Sequence, residues 1–207
     1  MKTIDEFRKA CRIMLGDEAG RRYSDAMIDM GCREALSLYG SYLPRIEEVQ
    51  RRILAYENSY AVIPRVCQDL MLVRGIRRSS AKKEMRFSLE TQPGKLLIDF
   101  HEPVRPAVGE LLWIELSVPH SIKGLDDSNR TTLPDPHLTM MCKGAAGYAM
   151  QIRARSVTEV FGKRPEDREA LMKQAEDLIN EFKKELEMIT LAESFSKSPW
   201  PVSRISL

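Results

Sequence analysis

The sequence predicts an α+β protein, mainly α. A bundle of about four helices carries a small antiparallel β unit inserted between its N-terminal and C-terminal helix pairs, and an extended tail closes the chain. Three observations predict this. The stretch Thr131 to Val160 holds an apolar seam at helical spacing, with Leu138, Met141, Ala145, Tyr148 and Ile152 recurring at steps of three and four. The middle third alternates apolar and polar residues between turn signals. The last fifteen residues, ESFSKSPWPVSRISL, have no helical period. These shifts divide the chain into an N-terminal helix pair at 1–43, a β-containing insertion with long loops at 44–134, the central and C-terminal helices at 135–192, and a tail at 193–207.

The first helix opens on a capping box, Thr3 with Glu6, in which each side chain satisfies the other's backbone N–H. Phe7, Ala10, Cys11, Met14 and Leu15 form its inward face, and Gly16 stops it. Ser24 is the natural N-cap of the second helix, with Asp25 near its positive end. Ile28, Cys32, Ala35, Tyr39 and Tyr42 mark its buried side, and Pro44 prevents its continuation.

Ile46 to Ala55 reads equally as a strand or as the end of a helix. Tyr60 to Pro64 is short and extended, and Asp69 to Ile76 reads as a strand. Arg74 to Arg86 carries six Lys/Arg against one Glu, most simply a solvated loop; Arg77, Arg78, Lys82 and Lys83 are its candidate contacts for phosphate or an acidic partner. Met85 to Glu90 and Lys95 to His101 flank the turn Gln92-Pro93-Gly94 and read as a hairpin. In Leu111 to Val118, Trp113, Glu115 and Ser117 alternate with apolar residues, the period of a half-buried strand. The connection from Val118 to Asp135 is polar and turn-rich, and Asp126 with Asp127 reads as part of a solvated loop rather than an acid pair.

Asp135 is placed as N-cap of the central helix, with Pro136 at its first position, where a missing N–H costs nothing. Its middle is rich in small residues. Each glycine there costs about 1 kcal/mol against alanine, tolerable where another helix must come close. Gly144, Ala145, Gly147 and Tyr148 are therefore candidates for a close contact, within the chain or with another subunit. After the break Phe161 to Arg164, Pro165 opens a long charged helix with a seam of Leu171, Ala175, Leu178, Phe182, Leu186 and Ile189.

The chain of 207 residues has 32 Lys plus Arg against 30 Asp plus Glu, a net +2 that does not suggest a dedicated nucleic-acid binder. Cys11, Cys32, Cys67 and Cys142 lack metal-ligand spacing and read as small buried hydrophobes in a reducing compartment. No metal or cofactor is expected. His101, His120 and His137 are far apart in sequence, and no phosphate-binding glycine motif or nucleophile–base pattern occurs. The N-terminus has no signal-peptide core, and no run suits a membrane span. Assembly in the cytoplasm is expected.

The order of parts carries a resemblance. Tyr23-Ser24-Asp25 and Ala35, Leu36, Tyr39 lie in the early helix pair. Val118 to Leu125, VPHSIKGL, ends the β segment, and Thr131 to Asp135, TTLPD, opens the helix with Gly144 to Ala149, GAAGYA. In these words the chain resembles the adaptor, or head–tail connector, proteins of tailed bacteriophages and prophages. The resemblance implies a structural, non-enzymatic virion protein in the neck. It implies a homo-oligomeric ring, commonly of twelve copies, below the portal protein. Such a ring extends the DNA channel, encloses DNA without sequence-specific binding, and offers a platform to downstream neck or tail proteins. It further implies that the C-terminal tail reaches the portal, which makes Pro199, Trp200 and Pro201 the candidate docking residues; tryptophan anchors well in a pocket, and proline lowers the entropy lost on docking. The alternatives are another neck or tail-completion protein of the stopper type and, from another class, a nucleic-acid-binding module using residues 74–86.

Overall fold

A computed structural model of the chain describes residues 3–52, 59–62, 72–78, 86–92, 95–100, 108–156 and 165–196. The fold is α+β and mainly α. Its elements are α1 (Ile4–Met14), α2 (Asp25–Tyr42), β1 (Arg45–Arg52), β2 (Ser59–Val62), β3 (Leu72–Arg78), β4 (Phe87–Gln92), β5 (Lys95–Phe100), β6 (Leu111–Val118), a 3₁₀ turn (Asp135–His137), α3 (Leu138–Ser156) and α4 (Pro165–Ser196). They form two compact units: a helical unit of Met1–Leu43 with His120–Leu207, and a β unit of Pro44–Pro119.

In the helical unit α1 and α2 start as their sequences dictate. The Glu6 N–H donates to Thr3 Oγ1 at 3.4 Å, and the Met27 N–H donates to Ser24 Oγ at 3.3 Å. Between these helices the chain turns around Asp17. Its carboxylate is only 5% exposed and accepts the N–H groups of Arg21, Arg22 and Tyr23 at 2.8–3.0 Å. Phe7, Cys11, Ile28, Cys32, Ala35 and Tyr39 then join Met141, Ala145, Phe182 and Leu186 in one core.

The start of α3 differs from expectation. Asp135 is not the N-cap: it lies inside a 3₁₀ turn capped by Pro134, with no side-chain cap bond. Pro136 has no N–H to give, so the turn closes tightly through the His137 N–H to the Pro134 carbonyl at 3.0 Å.

The segment from His120 to Pro134 belongs with the helices rather than with the β insertion, and it is not a simple solvated loop. Its polar side chains bond the local backbone. The Ser121 N–H donates to Thr132 Oγ1 at 2.8 Å and the Lys123 N–H to Thr131 Oγ1 at 2.9 Å. The Ile4 N–H donates to the Lys123 carbonyl at 2.8 Å, beside a parallel bridge of Thr3 with Lys123. With the backbone satisfied, Ile122, Leu125 and Leu133 go into the core. Asp126 is exposed and receives a forked ion pair from Arg33, with Nη2 to Oδ1 at 2.6 Å.

The tail boundary also moves. The helix continues through Glu193 to Ser196, because Glu193, Ser194 and Phe195 contain no breaker. The residues after Ser196 lie outside the described ones.

The β unit is antiparallel throughout, in two three-stranded sheets ordered β1-β6-β3 and β2-β5-β4. The ambiguous Ile46 segment is strand β1, running from Arg45↔Val118 to Arg52↔Leu111 against β6. Leu112, Ile114, Leu116 and Val118 of β6 face a core shared with Val73, Ile76, Ile98 and Phe100. The strand expected to end at Ile76 runs on as β3 to Arg78, into residues read from charge as a solvated loop, with a register shift between Val73 and Gly75. Val73 and Ile76, brought to one face by that register shift, supply the buried side that outweighs the charge.

Candidate functional site

Helix α3 runs through the middle of the helical unit, and its small residues face two neighbours. A Cβ on Gly144 would lie 2.6 Å from the Phe182 ring, and one on Gly147 would lie 2.9 Å from Ile179 Cγ1. Both glycines therefore admit α4. Ala145 and Ala149 lie on another side, against α2, where a Cβ on Gly31 would meet the Ala145 carbonyl oxygen at 2.3 Å. Three helices thus approach at backbone distance through residues of minimal size. Tyr148, half-buried beside them, has its phenol pushed up by burial and by the charge of Glu34. At its outer edge Lys143 of α3 holds Glu185 at 2.5 Å and Glu181 at 3.1 Å on α4, pairings that raise its pKa.

Sequence reading missed a second constellation. Tyr39, 1% exposed, sits against both His120 and His137. Its hydroxyl is 2.7 Å from His137 Nδ1, and the His120 ring meets its ring edge-on at 4.8 Å. His120 Nε2 lies 2.9 Å from the Leu43 carbonyl, which can only accept, so Nε2 carries the proton. Nδ1 of the same ring faces Thr132 Oγ1 at 3.2 Å. Burial, aided by the charge of Glu193, pushes the Tyr39 phenol up to about 12, so it stays protonated. Tyr39 is thus a buried, neutral phenol held between two partly exposed imidazoles, a knot that joins three segments of the helical unit. The only sequence signal was Tyr39 at the spacing of a core position, which does not reveal a polar partner.

Cys11, Cys32 and Cys142 also meet, each fully buried. Cys11 Sγ lies 3.6 Å from the Cys142 carbonyl oxygen, and neighbouring Cys142 and Cys32, with burial, push its thiol far up. The Cys11 thiol therefore stays protonated, and the three cysteines pack as small hydrophobes. Among the described residues no group of three His, Cys, Asp or Glu is arranged to hold a metal ion, and no helix is long and apolar enough to cross a membrane.

Two of the four basic candidates, Arg77 and Arg78, are among the described residues. Arg77 on β3 pairs with Glu115 at 2.8 Å and with Glu48, which neutralises it locally. Arg78 ends the same strand. Lys82, Lys83 and Cys67 lie outside the described residues, as do Pro199, Trp200 and Pro201. Gly144, Ala145, Gly147 and Tyr148 lie close together on α3.

No protein-family model matches the chain, and no curated protein matches it. Among solved structures, a chain from the neck of an empty GTA particle, computed with C6 symmetry, aligns over 83% of this chain and 87% of its own, at 15% identity and a TM-score of 0.29. A TM-score of 0.29 is too low to carry a shared fold or role.

Proposed function

We propose that the chain is a structural virion protein: a head–tail connector, or adaptor, that assembles into a ring below the portal in the neck of a tailed-phage particle. One observation carries the reading. The sequence words that resemble the connectors come from distant parts of the chain, yet most of their apolar residues meet in the core of the helical unit, with Val118 in the core of the β unit. Tyr23, Ala35, Tyr39, Ile122, Leu125, Ala145 and Ala149 are all buried in the helical core. Those words are thus used largely for packing, as a scaffold's would be.

In this reading the helical unit is the body of each ring subunit, and twelve copies would extend the DNA channel. The tail beyond Ser196, with Pro199, Trp200 and Pro201, docks on the portal, and the lower rim receives neck or tail proteins. The test uses DNA-filled, portal-bearing capsids that lack neck proteins. The purified chain should co-sediment with them and appear as a ring below the portal in averaged micrographs. A chain that stays monomeric with its portal and binds no particle would refute the reading.

A further inference from the structure

Helix α4 carries an apolar spot on the side turned away from the core. Its core face is Ala175, Ile179, Phe182 and Leu186. Met188 and Leu191 follow Leu186 by two and five residues, which at about 100° of turn per residue sets them opposite that face. They are 62% and 58% exposed. They stand one turn apart, so a single large side chain can cover both. Exposed Lys184 and Glu187 flank them with opposite charge, so charge selects no occupant and apolar contact must.

The chain itself supplies an occupant. α4 ends at Ser196, and Trp200 stands four residues beyond that end. Four residues span at most about 14 Å. At the ordinary helical rise, Leu191 lies about 8 Å and Met188 about 12 Å back from Ser196. The tail is therefore long enough to double back and lay Trp200 over the spot. Its sequence favours the reversal: Ser198 precedes Pro199, which biases it out of the helical region and toward a turn. Prolines on both sides of Trp200 lower the entropy lost when it is held. An indole suits the spot, since a methionine thioether packs well against an aromatic ring. Across so short a link the effective concentration of Trp200 is on the order of millimolar, far above that of a second copy in dilute solution.

We infer that, in the isolated chain, Trp200 docks on the Met188–Leu191 spot of its own α4 and so stores the tail against the helix. The contact lies opposite the core face of α4, so it adds to the fold without being part of the core. Ordering the tail costs more as temperature rises, so the contact opens below the cooperative melt. A partner that captures Trp200 must first take it from α4, which makes the spot a competitor for the chain's own tail. This storage needs no portal and holds whether or not the chain is a connector.

The test reads Trp200 by fluorescence in the full-length chain carrying Trp113→Phe, which leaves it the sole tryptophan. The free peptide of residues 197–207 is the reference. Docked Trp200 should emit to the blue of the peptide and be quenched several-fold less by acrylamide, at every protein concentration. Met188→Glu with Leu191→Glu should return both readings to those of the peptide and keep the helical circular-dichroism signal, because both positions are exposed. Subtracting the spectrum of Trp200→Phe from that of the unsubstituted chain gives the same reading with Trp113 in place. Peptide-like emission from the full-length chain overturns the docking. So does shielding that survives the two glutamates, which puts Trp200 elsewhere, or shielding lost on dilution, which makes the occupant a second copy. Portal-bearing capsids that bind neither the unsubstituted chain nor the double variant would refute the connector reading and leave the docking standing.

Discussion

Gly31→Ala and Gly40→Ala put the same methyl on the same helix, with opposite expected outcomes. At Gly31 the new carbon would sit 2.3 Å from the Ala145 carbonyl oxygen, a backbone atom that cannot swing aside. Overpacking of that kind costs about 1–3 kcal/mol, more than the roughly 1 kcal/mol returned by helix propensity. At Gly40 the space is open, so only propensity acts, and a gain of up to about 1 kcal/mol is expected. Denaturant unfolding of both variants measures the pair. Asp17 supplies a pH signature. Burial alone would raise its carboxyl, but three backbone N–H donors and nearby Arg22 outweigh it and hold it below the ordinary 3.8. Its folded value is depressed, so its contribution is complete above 3.8 and is lost as pH falls toward the folded value. The melting temperature should drop over that acid window, and Asp17→Asn should remove this part of the drop. An unchanged acid slope in the variant would mean that the turn does not depend on the carboxylate charge.

At the scale of elements, the seam between α3 and α4 has one large side chain at its centre. Phe182 is fully buried and lies over Gly144. Phe182→Ala should destabilise by about 3–5 kcal/mol, read as a lower urea midpoint with the slope kept. Lys143→Met should cost less than about 1 kcal/mol, since its pairs with Glu181 and Glu185 are partly exposed. Local chemistry explains what was legible. The caps at Thr3 and Ser24 and the alternation of β6 follow from residues a few positions apart, and the small-residue run of α3 does announce a tight neighbour. What sequence could not carry was long-range. That Gly31 is the counterpart of Ala145 depends on a chain reversal far away. The two sheets depend on β6 pairing with β1 and β3 rather than with β5, its nearest neighbour in sequence. The His120–Tyr39–His137 knot joins three segments with no shared pattern, and the polar segment 120–134 hid three core residues behind its turn chemistry.

At the scale of the molecule, the β unit leaves and rejoins the helical unit at one place: the Leu43 carbonyl and His120 Nε2 are 2.9 Å apart. Replacing Pro44–Pro119 by a short Gly/Ser linker should therefore leave a folded helical unit, seen as a helical circular-dichroism signal and a single cooperative melt. A non-cooperative product would show that the helices need the insertion to fold. Truncation after Ser196 should leave the melting temperature unchanged and weaken capsid binding, and Trp200→Ala should reproduce most of the loss. The same interrupted arrangement bears on synthesis. When α1 and α2 leave the ribosome, the helix that must fill Gly31 does not yet exist, and the whole of Pro44–Pro119 has to be translated before it does. The first two helices must wait with Phe7, Ile28 and Ala35 uncovered, a state open to chaperones and to premature association between nascent chains.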